Sequence, residues 1–166
     1  MESPKSLDDY IVQPDITLYH GDKRYTLPRP AVLMSAFLKG ALECDSNATE
    51  IPIFYEKANL YLAHIVEYLS HHNGIAQEKP DPLGKKQLKD CIRDEWDFKF
   101  ITSNRWIYMK EFMEFLDLVK YMQIESLIQL CCLKIADLIR SVDVARYESI
   151  IQNRSRLYDE NYIEYE

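Results

Sequence analysis

Two helical periodicities laid end to end restrict this chain more than any other feature. From Lys110 to Met122, the residues Phe112, Phe115, Leu116 and Val119 line one face at helical spacing. From Glu125 to Ser141, at 100° per residue, Leu127, Ile128, Cys131, Cys132, Ile135, Leu138 and Ile139 fill an arc of roughly 140°. Leu130 and Leu133 break the second pattern, because they fall among Gln129, Lys134, Asp137 and Arg140 on the otherwise polar side. Apolar side chains there need cover: either packing beneath the C-terminal segment or docking of another protein.

Upstream the pattern is mixed. ITLYH and KRYTLP are short β-rich runs around Gly21 and Asp22, which predicts a hairpin beginning at Ile16 with a tight Gly-Asp connection. Pro28 and Pro30 end the second strand and suit the first turn of a helix. Val32, Leu33, Phe37, Leu38, Ala41 and Leu42 then recur at helical spacing, with Ser35 placed to cap a second short helix. TEIPIF predicts a third strand, and Pro52 suits an edge position. Glu56–Leu69 predicts an amphipathic helix with Leu62, Ile65, Val66 and Leu69 on one face.

The boundaries follow from these runs. Residues 1–14 are polar with two prolines and are expected to be a flexible tail; residues 15–72 hold the strands and first helices. Residues 73–95 carry ten charged side chains with Gly74, Pro80, Pro82 and Gly84, and are expected to be a long flexible acidic loop. Residues 96–141 hold EWDFKFI and the two strong helices, and residues 142–166 are expected to add a short helix with Val144, Tyr147, Ile150 and Ile151 before an acidic, tyrosine-rich end.

Composition excludes several classes. A chain of 166 residues suits one domain able to bury roughly two-thirds of its unfolded surface. Apolar residues make up 47% and charged residues 28%, so it is neither disordered nor fibrous. The net charge is −7, and the longest basic cluster, Lys85, Lys86 and Lys89, is followed by Asp90, Asp94 and Glu95; no nucleic-acid partner is expected. No apolar run approaches the roughly 20 residues of a membrane span, and MESPKSLDD has no apolar core of a secretory signal. Cys44, Cys91, Cys131 and Cys132 show no C-x-x-C spacing, so reduced thiols in cytoplasm or nucleus are expected, and the sequons at Asn47 and Asn153 are read as chance matches.

Catalytic residues do not emerge. His71 and His72 on a helix would point about 100° apart, and His64 and His71 would share a face but lie roughly 10 Å apart along the axis, so no metal site is expected. Cys131 and Cys132 both fall on the apolar arc, where buried thiols are inert. The four glycines are unclustered and build no phosphate loop. The Asp94–Glu95 pair lies in the charged loop, where neither burial nor a partner is expected to shift a pKa. The reading is of a protein that is not an enzyme and uses no cofactor.

Three segments in order resemble the Skp adaptor family of SCF ubiquitin ligases. They are the helix end IVEYLSHHN, the acidic loop running into EWDFKF, and FMEFLDLVKYMQIESLIQLCCLKIADLIRS. The last resembles two consecutive family helices, including Tyr121, Ile124, Leu127, Cys132, Ala136 and Ile139. With the hairpin, SAFLKGAL and TEIPIF, the resemblance covers about residues 15–141. It implies an α+β chain of the BTB/POZ fold, a small three-stranded sheet flanked by helices, with additional C-terminal helices that cradle an F-box.

What the resemblance implies for function is an adaptor that bridges a cullin and F-box proteins, with no bond making of its own. It puts Leu116, Leu133, Ile135 and Ile139, with Tyr147, Ile150 and Ile151 beyond Ser141, at the F-box, and Lys120 and Tyr121 at the cullin. It also implies a weak homodimer when the F-box is absent. The chain departs from the family at Lys120, where asparagine is usual, at Asp117, in about four extra residues around RWIY, and in a C-terminus lacking the Thr-Pro-Glu-Glu helix start and terminal tryptophan. These departures keep open a divergent structural subunit of another assembly, such as a kinetochore complex; an elongin C-like adaptor is a third reading.

Overall fold

A computed structural model describes residues 14–75, 77–84, 86–106 and 108–141. The chain is α+β, with a small three-stranded sheet and several helices, and divides into two compact units. The first comprises Met1–Lys79 with Thr102–Gln129, and the second Pro80–Ile101 with Leu130–Glu166. The expected tail up to residue 13 and the expected helix after Ser141 lie outside the described residues.

In the first unit, β1 (Ile16–His20) and β2 (Lys23–Leu27) form the expected antiparallel hairpin, with Ile16 opposite Leu27 and His20 opposite Lys23. Gly21 has φ +56°, the value required at the first position of a two-residue hairpin turn of the mirror-image kind. β3 (Glu50–Pro52) runs parallel to β1 and stands at the edge of the order β2-β1-β3, which is where Pro52 loses least. His20 Nδ1 donates to the Ile53 carbonyl at 2.8 Å, extending the β1–β3 tie past the strand end.

Pro28 precedes α1 (Arg29–Val32), and the Ser35 hydroxyl accepts from the Leu38 amide at 3.1 Å to cap α2 (Ala36–Cys44). α3 (Ala58–His72) runs one turn further than the sequence suggests, and it packs on α1 and β2 with Leu62, Ile65, Tyr68 and Leu69 buried. It ends on Asn73 at φ 45° and Gly74 at φ +83°. A Cβ on Gly74 would lie 2.8 Å from the Pro30 carbonyl oxygen, so this turn requires glycine on both counts. α6 (Met109–Met122) packs on α2 and α3, burying Phe112, Phe115, Leu118, Val119 and Met122.

The second unit holds α4 (Leu88–Cys91), α5 (Glu95–Thr102) up to Ile101, and α7 (Glu125–Ser141) from Leu130 onward. The stretch read as a continuous loop therefore contains a helical turn, and Leu88, Cys91 and Ile92 are buried. Three apolar residues at i, i+3 and i+4 suffice for one turn once there is something to bury them against, a condition that charge counting misses. The Asp94 carboxylate accepts from the Trp96 and Asp97 amides and caps α5, while Glu95 pairs with Lys99 at 2.8 Å. That partner holds the Glu95 carboxyl below its usual pKa, contrary to the expectation for this pair.

Candidate protein-docking surfaces

The end of α6 is fixed by its neighbours before Tyr121 is placed. Gln123 adopts φ 54°, and the Ile124 amide reaches back to the Val119 carbonyl, the bond of a Schellman ending. The buried Ser35 hydroxyl donates to the Met122 carbonyl, and the Ala36 amide donates to the Gln123 carbonyl at 3.2 Å. Ser35 thus caps α2 and fastens the start of α2 to the end of α6. That bracket puts the Tyr121 ring between Phe37, 4.9 Å away centre to centre, and Tyr55, 5.2 Å away.

Tyr121 is half-buried in this aromatic cluster, and Phe54, next to Tyr55 in sequence, is 81% exposed. Lys120 is exposed and pairs with Asp117 at 2.8 Å, so two of the places at which the chain departs from the pattern of the family it resembles are in contact with each other. Such a surface pair is worth little in stability. One turn earlier, Glu114 takes hydrogen bonds from Lys57 and, at 2.9 Å, from Tyr61. Those two donors hold the Glu114 carboxyl below its usual range, and burial together with Glu114 pushes the Tyr61 hydroxyl up to about 12.

The sequence pointed to Ser35 only as a cap and to Glu114 not at all. A serine that both caps one helix and ends another has no sequence signature, since the second bond spans 87 positions. Glu114 falls among acidic residues that look alike until the fold brings Lys57 and Tyr61 to one of them.

In α7 the buried side is turned relative to the arc that the periodicity suggests: Leu127 and Cys131 on the arc are buried as expected, but the burial extends onto the side read as polar. Leu130 and Leu133, the two residues off the apolar arc, are buried, with Cys131 and Lys134. Cys132, Leu138 and Ile139 on the arc are exposed, Ile139 at 54%, and Ile135 is half-buried. The reason is Lys134: its ammonium donates to the Ile101 carbonyl at 2.7 Å, a buried helix-end acceptor, so a charged residue lies on the inner side. Burial lowers the Lys134 pKa, and it pushes the Cys131 thiol up, which leaves that thiol unreactive. The expectation of a buried thiol holds at Cys131 and fails at Cys132, which is exposed, as is Cys44.

The outer stripe Cys132, Ile135, Ile139 repeats at three and four residues, the spacing a partner helix reads. The end of α7 is held in place by Arg140, which pairs with Asp137 at 2.7 Å and donates to the carbonyls of Gly84, at 3.3 Å, and Lys86. Of the other residues assigned to an F-box, Leu116 and Leu133 are 5% and 8% exposed and serve as core. Tyr147, Ile150 and Ile151 lie outside the described residues. No described helix is long and apolar enough to cross a membrane.

No protein-family model matches the chain. Over 108 residues, 64% of this chain, it is 31% identical to a Tetrahymena thermophila protein named S-phase kinase-associated protein 1 homolog. The match spans 62% of the length of that curated relative. The chain is thus similar, as a distant relative, to a protein of the Skp kind, in agreement with the resemblance carried by its helix-end, Trp-Asp and α6–α7 segments.

Proposed function

We propose that this protein is the adaptor of an SCF-type ubiquitin ligase, built on a BTB/POZ fold, which bridges a cullin and F-box proteins in the cytoplasm and nucleus. The observation that carries the reading is the apolar stripe Cys132, Ile135 and Ile139 on α7, exposed at Cys132 and Ile139 and half-buried at Ile135. An exposed row at this spacing suits a helix laid into a groove. Because Leu116 and Leu133 are core residues, the F-box contact within the described residues falls to Ile135 and Ile139. Lys120 and Tyr121 are the proposed cullin contact, Tyr121 offering a ring edge and a hydroxyl from a braced aromatic cluster. The mechanism is bridging: the chain sets the distance and orientation between its partners.

The test is affinity purification of the full chain from cell extract with identification of what it retains. A cullin together with several F-box proteins is the expected catch, and recovery of neither would refute the proposal. The Lys120–Asp117 pair favours a second reading, a Skp-like structural subunit of another assembly. Tyr121→Ala separates the two, since it should release the cullin under the first reading and leave the main partner bound under the second.

A further inference from the structure

The 3-10 turn Asn104–Trp106, two residues ahead of α6, meets α3 through Arg105 and Trp106. Arg105 donates to both oxygens of Glu67, Nη2 at 3.2 Å, and Arg105 Nη1 also lies 3.0 Å from His64 Nδ1. A guanidinium has only donors and keeps its proton throughout the folded range, so His64 Nδ1 must be the acceptor. His64 is therefore neutral here, with its proton on Nε2. Its ring stands edge-on to Trp106 at 5.3 Å, and Trp106 is 5% exposed, packed on Phe112 and Phe115.

We propose that His64, Arg105 and Glu67 form a proton-sensitive clasp, which holds the Trp106 turn against α3 while His64 is neutral and loosens it when His64 takes up a proton. Protonation removes the acceptor at Nδ1 and sets a second positive charge against the guanidinium. Glu67 lies 3.8 Å from the same nitrogen, so the imidazolium competes with Arg105 for one carboxylate. Among the described residues the charged groups facing the ring are Arg105 from the turn and Glu67 from α3, while α6 presents the aromatic rings of Phe112 and Phe115 through Trp106. Burial and Arg105 hold the His64 pKa below its ordinary 6.5, against the pull of Glu67. With the folded value lowered, the stabilisation is fully present above 6.5 and is lost as pH falls through that folded value.

The experiment uses Trp96→Phe, which leaves Trp106 as the single tryptophan. Trp106 emission is followed from pH 8 to pH 5 alongside a nuclear magnetic resonance titration of the His64 ring. The expected result is an emission step whose midpoint matches the His64 pKa, below 6.5. The step should vanish in His64→Gln, whose amide oxygen still accepts from Arg105 but does not titrate. Arg105→Ala should shift the His64 pKa upward. A step that survives His64→Gln, a His64 that titrates without one, or a His64 pKa at or above 6.5 overturns the clasp. The ring titration needs no substitution at the clasp, so it decides the question even if His64→Gln fails to fold.

Discussion

Ser35→Ala tests whether one hydroxyl holds two helix ends. Ser35 Oγ accepts from the Leu38 amide at the start of α2 and donates to the Met122 carbonyl at the end of α6, and the residue is fully buried. Alanine removes both bonds at once. Loss of an N-cap costs about 1 kcal/mol. A buried carbonyl left without its donor costs about 1–3 kcal/mol more, because no water reaches it. The expected loss is therefore about 2–4 kcal/mol, a large share of the roughly 5–15 kcal/mol that holds a typical domain. Both residues belong to the first compact unit, so urea unfolding of the intact chain reads the effect directly. With a slope of about 2 kcal/mol per M, the midpoint should fall by about 1–2 M at unchanged slope. A fall below about 0.3 M would refute the double role assigned to this hydroxyl. The Tyr121 cluster supplies a second readout: loosening the α2–α6 bracket should weaken any partner that reads Tyr121.

Further outcomes follow from the same geometry. Ile139→Asp should leave the helical circular dichroism unchanged and weaken F-box binding at least roughly tenfold, since it removes buried apolar area and adds a charge to the contact; binding within twofold of wild type would move the contact elsewhere. Native-state alkylation should label Cys44 and Cys132 and spare Cys91 and Cys131, as peptide mass mapping would show. The tyrosinate absorbance lost in Tyr61→Phe should titrate near 12 rather than near 10. Because that pKa is raised in the folded state, its contribution to stability is intact below pH 10 and fades as pH climbs through about 12. Gly74→Ala should destabilise by more than a surface substitution, since it strains a φ of +83° and meets the Pro30 backbone; a midpoint equal to wild type would contradict that contact.

Much of the fold was written locally. Gly21 and Asp22 between two β-rich runs dictate a hairpin, Pro52 marks an edge strand, and Ser35 before an apolar repeat marks a helix start; each depends on neighbours within a few residues. The limits of α6 and α7 were legible for the same reason, within one residue at each end. Tertiary structure decided which side of α7 faces inward. The helix carries apolar residues around most of its circumference, so periodicity defines an arc without saying what covers it. Lys134, whose charge suggests solvent, instead reaches the Ile101 carbonyl, and that bond turns Leu130 and Leu133 in and Ile139 out. The partner of a buried lysine lies 33 positions away and that of Ser35 lies 87 away. Spacing along a chain records what repeats, while only the folded chain records what is satisfied, and the proposed docking stripe is what remains once those distant bonds are made.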